Sequence, residues 1–237
     1  VRAIATGASG TRVHASYGAG ASAGSRASYA GASAVGAHVE LVNGPTVDAD
    51  TVVVCTEAYL PGLLPELRGL VTPYRSQVLA ARVGDGTTRV LSHPTWSRRG
   101  WDYAQQTARG VVIAGGELVE DQQLYRTWVE DIDDTDQAML EDWVNRVVSF
   151  GPGAGDDGTL KVEVLQRWAG VLSHSYDDMP IIGRLPRRES IVCCGGWGGA
   201  GNVLGFVGGG MVAELLGGTD TIPPEFSSAR IRNSPSG

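Results

Sequence analysis

The segment that most restricts what this chain folds into lies near its C-terminal end, SIVCCGGWGGAGNVLGFVGGGMVAELLGG. A short apolar strand, Ile191 to Cys194, runs into a cluster of glycines and then into a helical pattern carrying Val203, Leu204, Val207, Met211, Leu215 and Leu216. A strand, a glycine turn and a helix make a ligand cradle, because glycine lets backbone approach a bound group while the helix N-terminus offers unpaired N–H groups. The run Gly196-Trp197-Gly198-Gly199-Ala200-Gly201 has G-x-G-x-x-G spacing. A dinucleotide-binding βαβ unit also needs a second parallel strand and an acidic ribose ligand further on. No strand pattern follows in the polar residues 221–237, so this turn is not that fingerprint. Two readings stay open for it: a cofactor cradle, or a glycine-rich helix entry that allows close packing.

Upstream, the pattern is strand-rich. Residues 13–37 are almost wholly Ala, Gly, Ser and Tyr and predict a loose loop, since they bury little apolar surface to offset chain entropy. HVELV, a turn at Asn43-Gly44-Pro45, and TVDADTVVVCT predict strands, the Val-rich run Thr51 to Thr56 reading as buried on both faces. VTPYRSQVLAARV, WDYAQQ and VVIAGG repeat the strand-turn-strand grammar of an antiparallel sheet. DDTDQAMLEDWVNRVV spaces Met139, Leu140, Trp143, Val144 and Val147 helically behind an acidic start, predicting one amphipathic helix. GPGAGDDG breaks it, KVEVLQRWAGVL returns to strand, and the residues after Pro223-Pro224 predict a fraying tail.

Composition removes several function classes. The 237 residues are 42% hydrophobic and 19% charged, which suits a globular chain with a real core. A net charge of −7 without a Lys/Arg block argues against nucleic acid as partner. No apolar run approaches the ~20 residues of a membrane span and no secretory leader is legible, so a cytoplasmic, non-membrane protein is expected. Cys55, Cys193 and Cys194 sit in apolar runs without C-x-x-C spacing, which predicts reduced, buried thiols and no metal site. The start at Val1 fits a processed, truncated or incompletely read gene product.

Four segments in order, VVVCTEAYLPGLLPELRGLVTPYRSQVLA, DYAQQTARGVVIAGGE, RWAGVLSHSYDDMPIIGRLP and IVCCGGWGGAGNVLGFVGGGMVAELL, resemble the D-amino-acid-oxidase-like (DAO) family of FAD-dependent oxidoreductases, nearest its gamma-glutamylputrescine oxidase-like branch. The resemblance covers roughly Thr51 to Leu216. It implies FAD as cofactor and an α+β fold: a mainly antiparallel substrate-domain sheet with packed helices, beside the C-terminal remnant of an FAD-binding, Rossmann-like α/β domain. The implied organisation is 1–70 as partial FAD-binding strands, 71–170 as substrate domain, 171–220 as the C-terminal part of the FAD-binding domain, and 221–237 as polar tail. The family's N-terminal βαβ unit, with its glycine loop and acidic ribose ligand, has no counterpart in these residues.

By the same resemblance the chain oxidises an amine or amino acid at a CH–NH or CH–NH2 donor, with oxygen or another acceptor reoxidising the flavin. Gly196, Trp197, Gly198, Gly199, Ala200, Gly201, Asn202 and Val203 stand at the flavin-closing turn, where many relatives have His at the Ala200 position. Thr56, Glu57 and Ala58 match the turn near the cofactor's adenosine and pyrophosphate. Glu57 departs from the Asn or Gly common there, and its carboxylate would repel phosphate unless it points away. Tyr103 matches a substrate-lining tyrosine, with an ordinary sheet aromatic as the other reading. Arg75 and Gln77 either line the cavity or form an exposed strand pair, and His174 shares a segment with Asp177, which reads as a turn cap before Pro180. Leu172 stands where glycine and D-amino-acid oxidases carry a carboxylate-gripping Arg, which favours an amine substrate. Val171 to Ser175 contain no Cys for covalent flavin. The competing outcome is a non-catalytic remnant or interaction module that no longer binds FAD.

Overall fold

Apolar runs separated by glycine turns must pair with each other to satisfy their backbone, and among the described residues they pair into three sheets. The structure, a computed structural model, describes residues 3–6, 36–41, 45–87, 89–98, 101–116, 125–149 and 160–233. Of the loop expected at residues 13–37, residues 13–35 lie outside these residues and Ala37 opens a strand; Asn43-Gly44 of the expected turn and the GPGAGDDG break also lie outside them. The chain divides into two compact units, Val1–Tyr74 with Leu172–Gly237, and Arg75–Val171.

In the first unit, β1 (Ala3–Thr6), β2 (Ala37–Glu40) and β3 (Thr46–Ala49) form an antiparallel sheet in that order. A second sheet has the order β10 (Ile181–Leu185), β11 (Arg188–Gly195), β4 (Val52–Val54). The hairpin β10/β11 is antiparallel, while β11 and β4 run parallel with Val192 opposite Val53 and Cys193 opposite Val54. β11 is central and its apolar run is buried on both faces, as a continuous hydrophobic strand requires. Ile191 and Cys193 pack on Leu60, Leu63, Leu64 and Leu67 from helix α1 (Leu60–Leu63) and the turn after it. Val192 and Cys194 face the other side, with Ile182 and with Val212 of helix α3 (Gly201–Leu216).

Two expectations fail in this unit, for β4 and for the tail, and helix α3 buries only part of its apolar residues. β4 is at the sheet's edge, so Val53 is 38% exposed and Cys55 is exposed, where burial on both faces was expected. Helix α3 docks through Gly208 and Val212, leaving Val203, Phe206, Val207 and Leu216 in solvent. Met211 and Leu215 pack beside Val212, and a glycine allows the close approach: a Cβ at Gly208 would lie 3.0–3.2 Å from Trp197, Ile182 and Cys194. The described part of the tail packs rather than frays. Ile182 N–H donates to Phe226 O at 2.8 Å, Ser228 Oγ donates to Arg184 O, and Ile231 is buried.

The second unit holds a five-stranded sheet ordered β6 (Thr95–Ser97), β7 (Asp102–Gln106), β8 (Val111–Gly116), β5 (Val71–Val83), β9 (Val162–Ser175), the unit's limits falling within β5 and β9. The turn between β7 and β8 needs glycine, since Gly110 has φ 79° and a Cβ there would come within 1.8 Å of Gly86 O. Helix α2 (Asp134–Ser149) begins where the Asp133 carboxylate accepts the N–H groups of Thr135 and Asp136, a side-chain N-cap. It lays Leu140, Trp143, Val144 and Val148 on Leu79, Ala81, Val83, Val112 and Ala114. Each such aliphatic burial stabilises by about 1.5–3 kcal/mol, so this contact, more than helix propensity, holds α2 in place.

Candidate functional site

Immediately after β4 the chain must turn, and it does so at a residue whose side chain disfavours the conformation required: Glu57 has φ 46°. Its carboxylate accounts for the choice. Oε1 accepts the Ser173 N–H at 3.2 Å, the Ser173 hydroxyl at 2.8 Å and the Trp197 N–H at 3.4 Å, and Oε2 accepts the Gly196 N–H at 2.9 Å. One side chain thus ties the end of β4, the end of β9 and the glycine turn by charge-assisted hydrogen bonds. The concern that Glu57 would repel an approaching phosphate is answered by this geometry, because the charge is turned inward onto backbone amides. Ala58 beside it is fully buried, and the buried Thr56 hydroxyl has no hydrogen-bond partner among the described residues.

The glycine turn follows β11. Gly196, Gly198 and Gly199 have φ of 78°, 56° and 84°, so three of its residues occupy the left-handed region. Gly198 N–H donates to Ser173 O at 2.9 Å and Ala200 N–H to Trp197 O at 3.0 Å. Ala200 is the N-cap of α3 and caps nothing with its side chain, so the N–H groups of Gly201 and Asn202 make no hydrogen bond among the described residues. Gly199, Ala200, Asn202 and Val203 are exposed, and a Cβ on Gly199 would meet nothing within 4 Å. Trp197 runs under the glycine face of α3, with ring atoms 3.0–4.0 Å from where Cβ atoms of Gly201, Gly205 and Gly208 would stand. It seats the helix.

His174 joins this group. Its Nδ1 lies 3.6 Å from where a Cβ of Gly198 would be and 3.0 Å from Asp178 Oδ1, and its ring meets Tyr74 edge-on at 5.2 Å. Asp177 is a turn cap: its Oδ1 accepts the Met179 N–H and the Ser175 hydroxyl, while Arg230 binds both its oxygens. Burial alone would raise the Asp177 carboxyl, but the bonds from Arg230, Met179 and Ser175 outweigh it and hold it at about 2. The structure therefore gathers Thr56, Glu57, Ala58, Gly196 to Val203 and His174 in the first unit.

Tyr103 and Arg75 belong to the second. Tyr103 on β7 faces Gly115 on β8, and its ring covers the glycine so closely that a Cβ there would lie 2.4 Å from the hydroxyl oxygen. Burial raises the phenol above its usual 10 although the residue is 37% exposed, so the hydroxyl is protonated at neutral pH. Arg75 reaches Asp133 at 3.4 Å and Asp136 at 4.0 Å at the start of α2, and its buried Nε has no partner among the described residues. Burial, then the Asp133 charge, raise the Asp136 carboxyl against the pull of Arg75.

Gln77 is not part of an exposed pair. It is 1% exposed, donates to Asp131 O and accepts from Gln137 Nε2 at 2.9 Å. Gln137 also donates to Val78 O and Trp168 O, and accepts from Arg167, which pairs with Glu141. This buried polar hub was missed by sequence reasoning. The signal existed, since Gln137 stands on the same helical stripe as Leu140, Val144 and Val148. Among the described residues no three His, Cys, Asp or Glu side chains gather as metal ligands, and no helix is long and apolar enough to cross a membrane.

Residues 5–215 match the family model described as DAO, FAD dependent oxidoreductase. Among solved structures, glycine oxidase from Geobacillus kaustophilus superposes with a TM-score of 0.66 at 19% identity, over 82% of this chain and 49% of that one. Iminodiacetate oxidase from Chelativorans sp. BNC1 superposes with a TM-score of 0.61 at 18% identity, over 81% and 49%. At these identities the likeness is one of fold. Siroheme synthase 2 of Aeromonas salmonicida (strain A449) is 34% identical over 149 residues, 61% of this chain and 28% of that protein. The chain thus spans about half the length of the solved relatives and 28% of that curated one.

Proposed function

Because the chain belongs to the DAO family of FAD dependent oxidoreductases, we propose that it forms part of an enzyme oxidising a small amine or amino acid at a CH–NH or CH–NH2 carbon, with oxygen or another acceptor taking the electrons onward. The observation that carries this reading is the exposed N-terminus of α3, where Gly198 and Gly199 hold an open left-handed turn and the amides of Gly201 and Asn202 lack partners among the described residues. The residues fit the group: a planar, electron-rich ring edge suits unpaired N–H donors at a helix N-terminus, and the orphaned Thr56 hydroxyl is a further donor on the same unit. Gly198, Gly199, Ala200, Gly201 and Asn202 would hold it. When bound, FAD supplies the two-electron acceptor that amino-acid side chains lack.

The chain's own residues then bind and orient. The α3 terminus would set partial positive charge against a ring edge that gains negative charge on reduction. His174, beside Gly198, offers a ring nitrogen oriented by Asp178. In the second unit the protonated Tyr103 hydroxyl is a donor for a substrate polar group. Leu172 at the place of a carboxylate-gripping Arg favours an amine over a simple α-amino acid, in keeping with the gamma-glutamylputrescine oxidase-like branch.

The test is retention of FAD through desalting by the full gene product, followed by anaerobic mixing with simple amines, N-acylated diamines or α-amino acids. Flavin that bleaches fastest with the amines is the expected result. Protein that retains no flavin overturns the assignment in favour of a non-catalytic remnant, and bleaching by α-amino acids alone overturns the amine preference.

A further inference from the structure

The cysteines are distributed in a way that the oxidoreductase reading leaves unused. β4 and β11 run parallel with Cys193 opposite Val54, and one step beyond this pair come Cys194 and Cys55. Alternation puts Cys193 on the leucine-rich face and Cys194 on the face toward α3, and Cys55 shares the Cys194 face. Neighbouring strands lie ~4.8 Å apart, inside the ~4.4–6.8 Å Cα range that a disulfide spans. The two thiols are within hydrogen-bonding reach of each other.

We infer that Cys55 and Cys194 form a peroxide-responsive dithiol that closes to a disulfide between the edge strand β4 and the central strand β11. The division of labour follows from burial: Cys55 is exposed and Cys194 is buried beside it. The hydrogen bond from Cys194 outweighs burial and lowers the Cys55 thiol to about 7, so a large fraction is thiolate at neutral pH. That thiolate attacks one oxygen of hydrogen peroxide, the O–O bond breaks, and a sulfenic acid forms with release of water after proton uptake. The Cys194 sulfur then attacks the Cys55 sulfur; the S–O bond breaks, and the thiol proton leaves with the hydroxyl as a second water. Two thiols and one peroxide give one disulfide and two waters, the sulfurs losing the two electrons that the peroxide gains. Cys193 takes no part. It faces the opposite side, donates to Gly183 O at 3.5 Å, and burial pushes its thiol up to about 12.

The bridge would join the residue before Thr56–Glu57 to the residue before Gly195–Gly196, two segments that the Glu57 carboxylate already holds together. Closure therefore asks little movement of the backbone. None of these steps requires bound flavin, since the oxidant is supplied.

The experiment uses the native chain, reduced, freed of reductant and treated with a small excess of hydrogen peroxide. Thiol titration is expected to fall from three to one, intact mass to drop by about 2 Da, and peptide mapping to recover a reducible Cys55–Cys194 link. Cys193→Ala should behave like the native chain, while Cys194→Ser should accumulate a dimedone-trapped sulfenic acid at Cys55. Sulfinic acid at Cys55 with Cys194 still titratable overturns the proposal, as does a link that contains Cys193. The peptide map of the native chain decides the matter even if a variant fails to fold.

Discussion

At the scale of single residues, Glu57 carries opposing terms. Its left-handed backbone costs about 1–2 kcal/mol for a residue with a Cβ, while its carboxylate takes four donors from Ser173, Gly196 and Trp197. The bonds win because three of those donors are backbone amides that would otherwise be left without a partner. Glu57→Ala should therefore lower the unfolding free energy by about 2–4 kcal/mol, with Glu57→Gln intermediate, as measured by urea denaturation. Glu57→Gly should still be destabilising although it relieves the backbone, which separates the two terms. Cys55 gives a second residue-scale expectation. The groups around the pair are the Cys194 thiol, Cys193 and the Glu57 carboxylate, and of these the Cys194 hydrogen bond dominates. Alkylation of Cys55 by iodoacetamide should rise with pH through a midpoint near 7, and Cys194→Ala should move that midpoint upward. Neither role was legible in the sequence. Glu57 looked like a misfit in a cofactor turn because its partner Ser173 lies 116 residues away, and Cys55 looked buried because an edge strand and a central strand share the same Val-rich spelling.

At the scale of elements, α3 contains two kinds of glycine. Gly208 is hemmed in by Trp197, Ile182 and Cys194, whereas Gly209 and Gly210 would place a Cβ in open space. Gly209→Ala and Gly210→Ala should each stabilise by about 0.5–1 kcal/mol through helix propensity. Gly208→Ala should destabilise by about 1–3 kcal/mol through overpacking, and thermal melts of the three variants test the opposed signs. On α2, Gln137→Leu would leave Gln77 Oε1, Val78 O and Trp168 O without the Gln137 donor and should cost about 2–4 kcal/mol. The elements themselves were readable where pattern is local: VTPYRSQVLAARV is β5 from end to end, and DDTDQAMLEDWVNRVV is α2 to within a residue or so. What could not be read was which face each element would bury. In α3, Met211 and Leu215 pack with Gly208 and Val212, while Val203, Phe206, Val207 and Leu216 are exposed, a division that the apolar spelling alone does not give.

At the scale of the whole molecule, the C-terminal residues are held by Arg230, which grips Asp177 through both carboxylate oxygens. The folded-state carboxyl sits at about 2, below the ordinary value of ~3.9. The contribution is therefore complete above about pH 4 and disappears as pH falls toward 2. Asp177→Asn and Arg230→Gln should each flatten the acid limb of a stability-versus-pH curve without changing its slope above pH ~5. The unit that contains this clasp is built from both ends of the chain, Val1–Tyr74 and Leu172–Gly237, while Arg75–Val171 is continuous. During synthesis the continuous unit has all its strands as soon as β9 leaves the ribosome. The edge strand β4 and the turn at Glu57 wait for Ser173, 116 residues later, and then for β11. At ~5–20 residues per second that interval is on the order of ten seconds. For that time the valines of β4 and the exposed thiol at Cys55 stand without the β11 partner that they have in the folded unit.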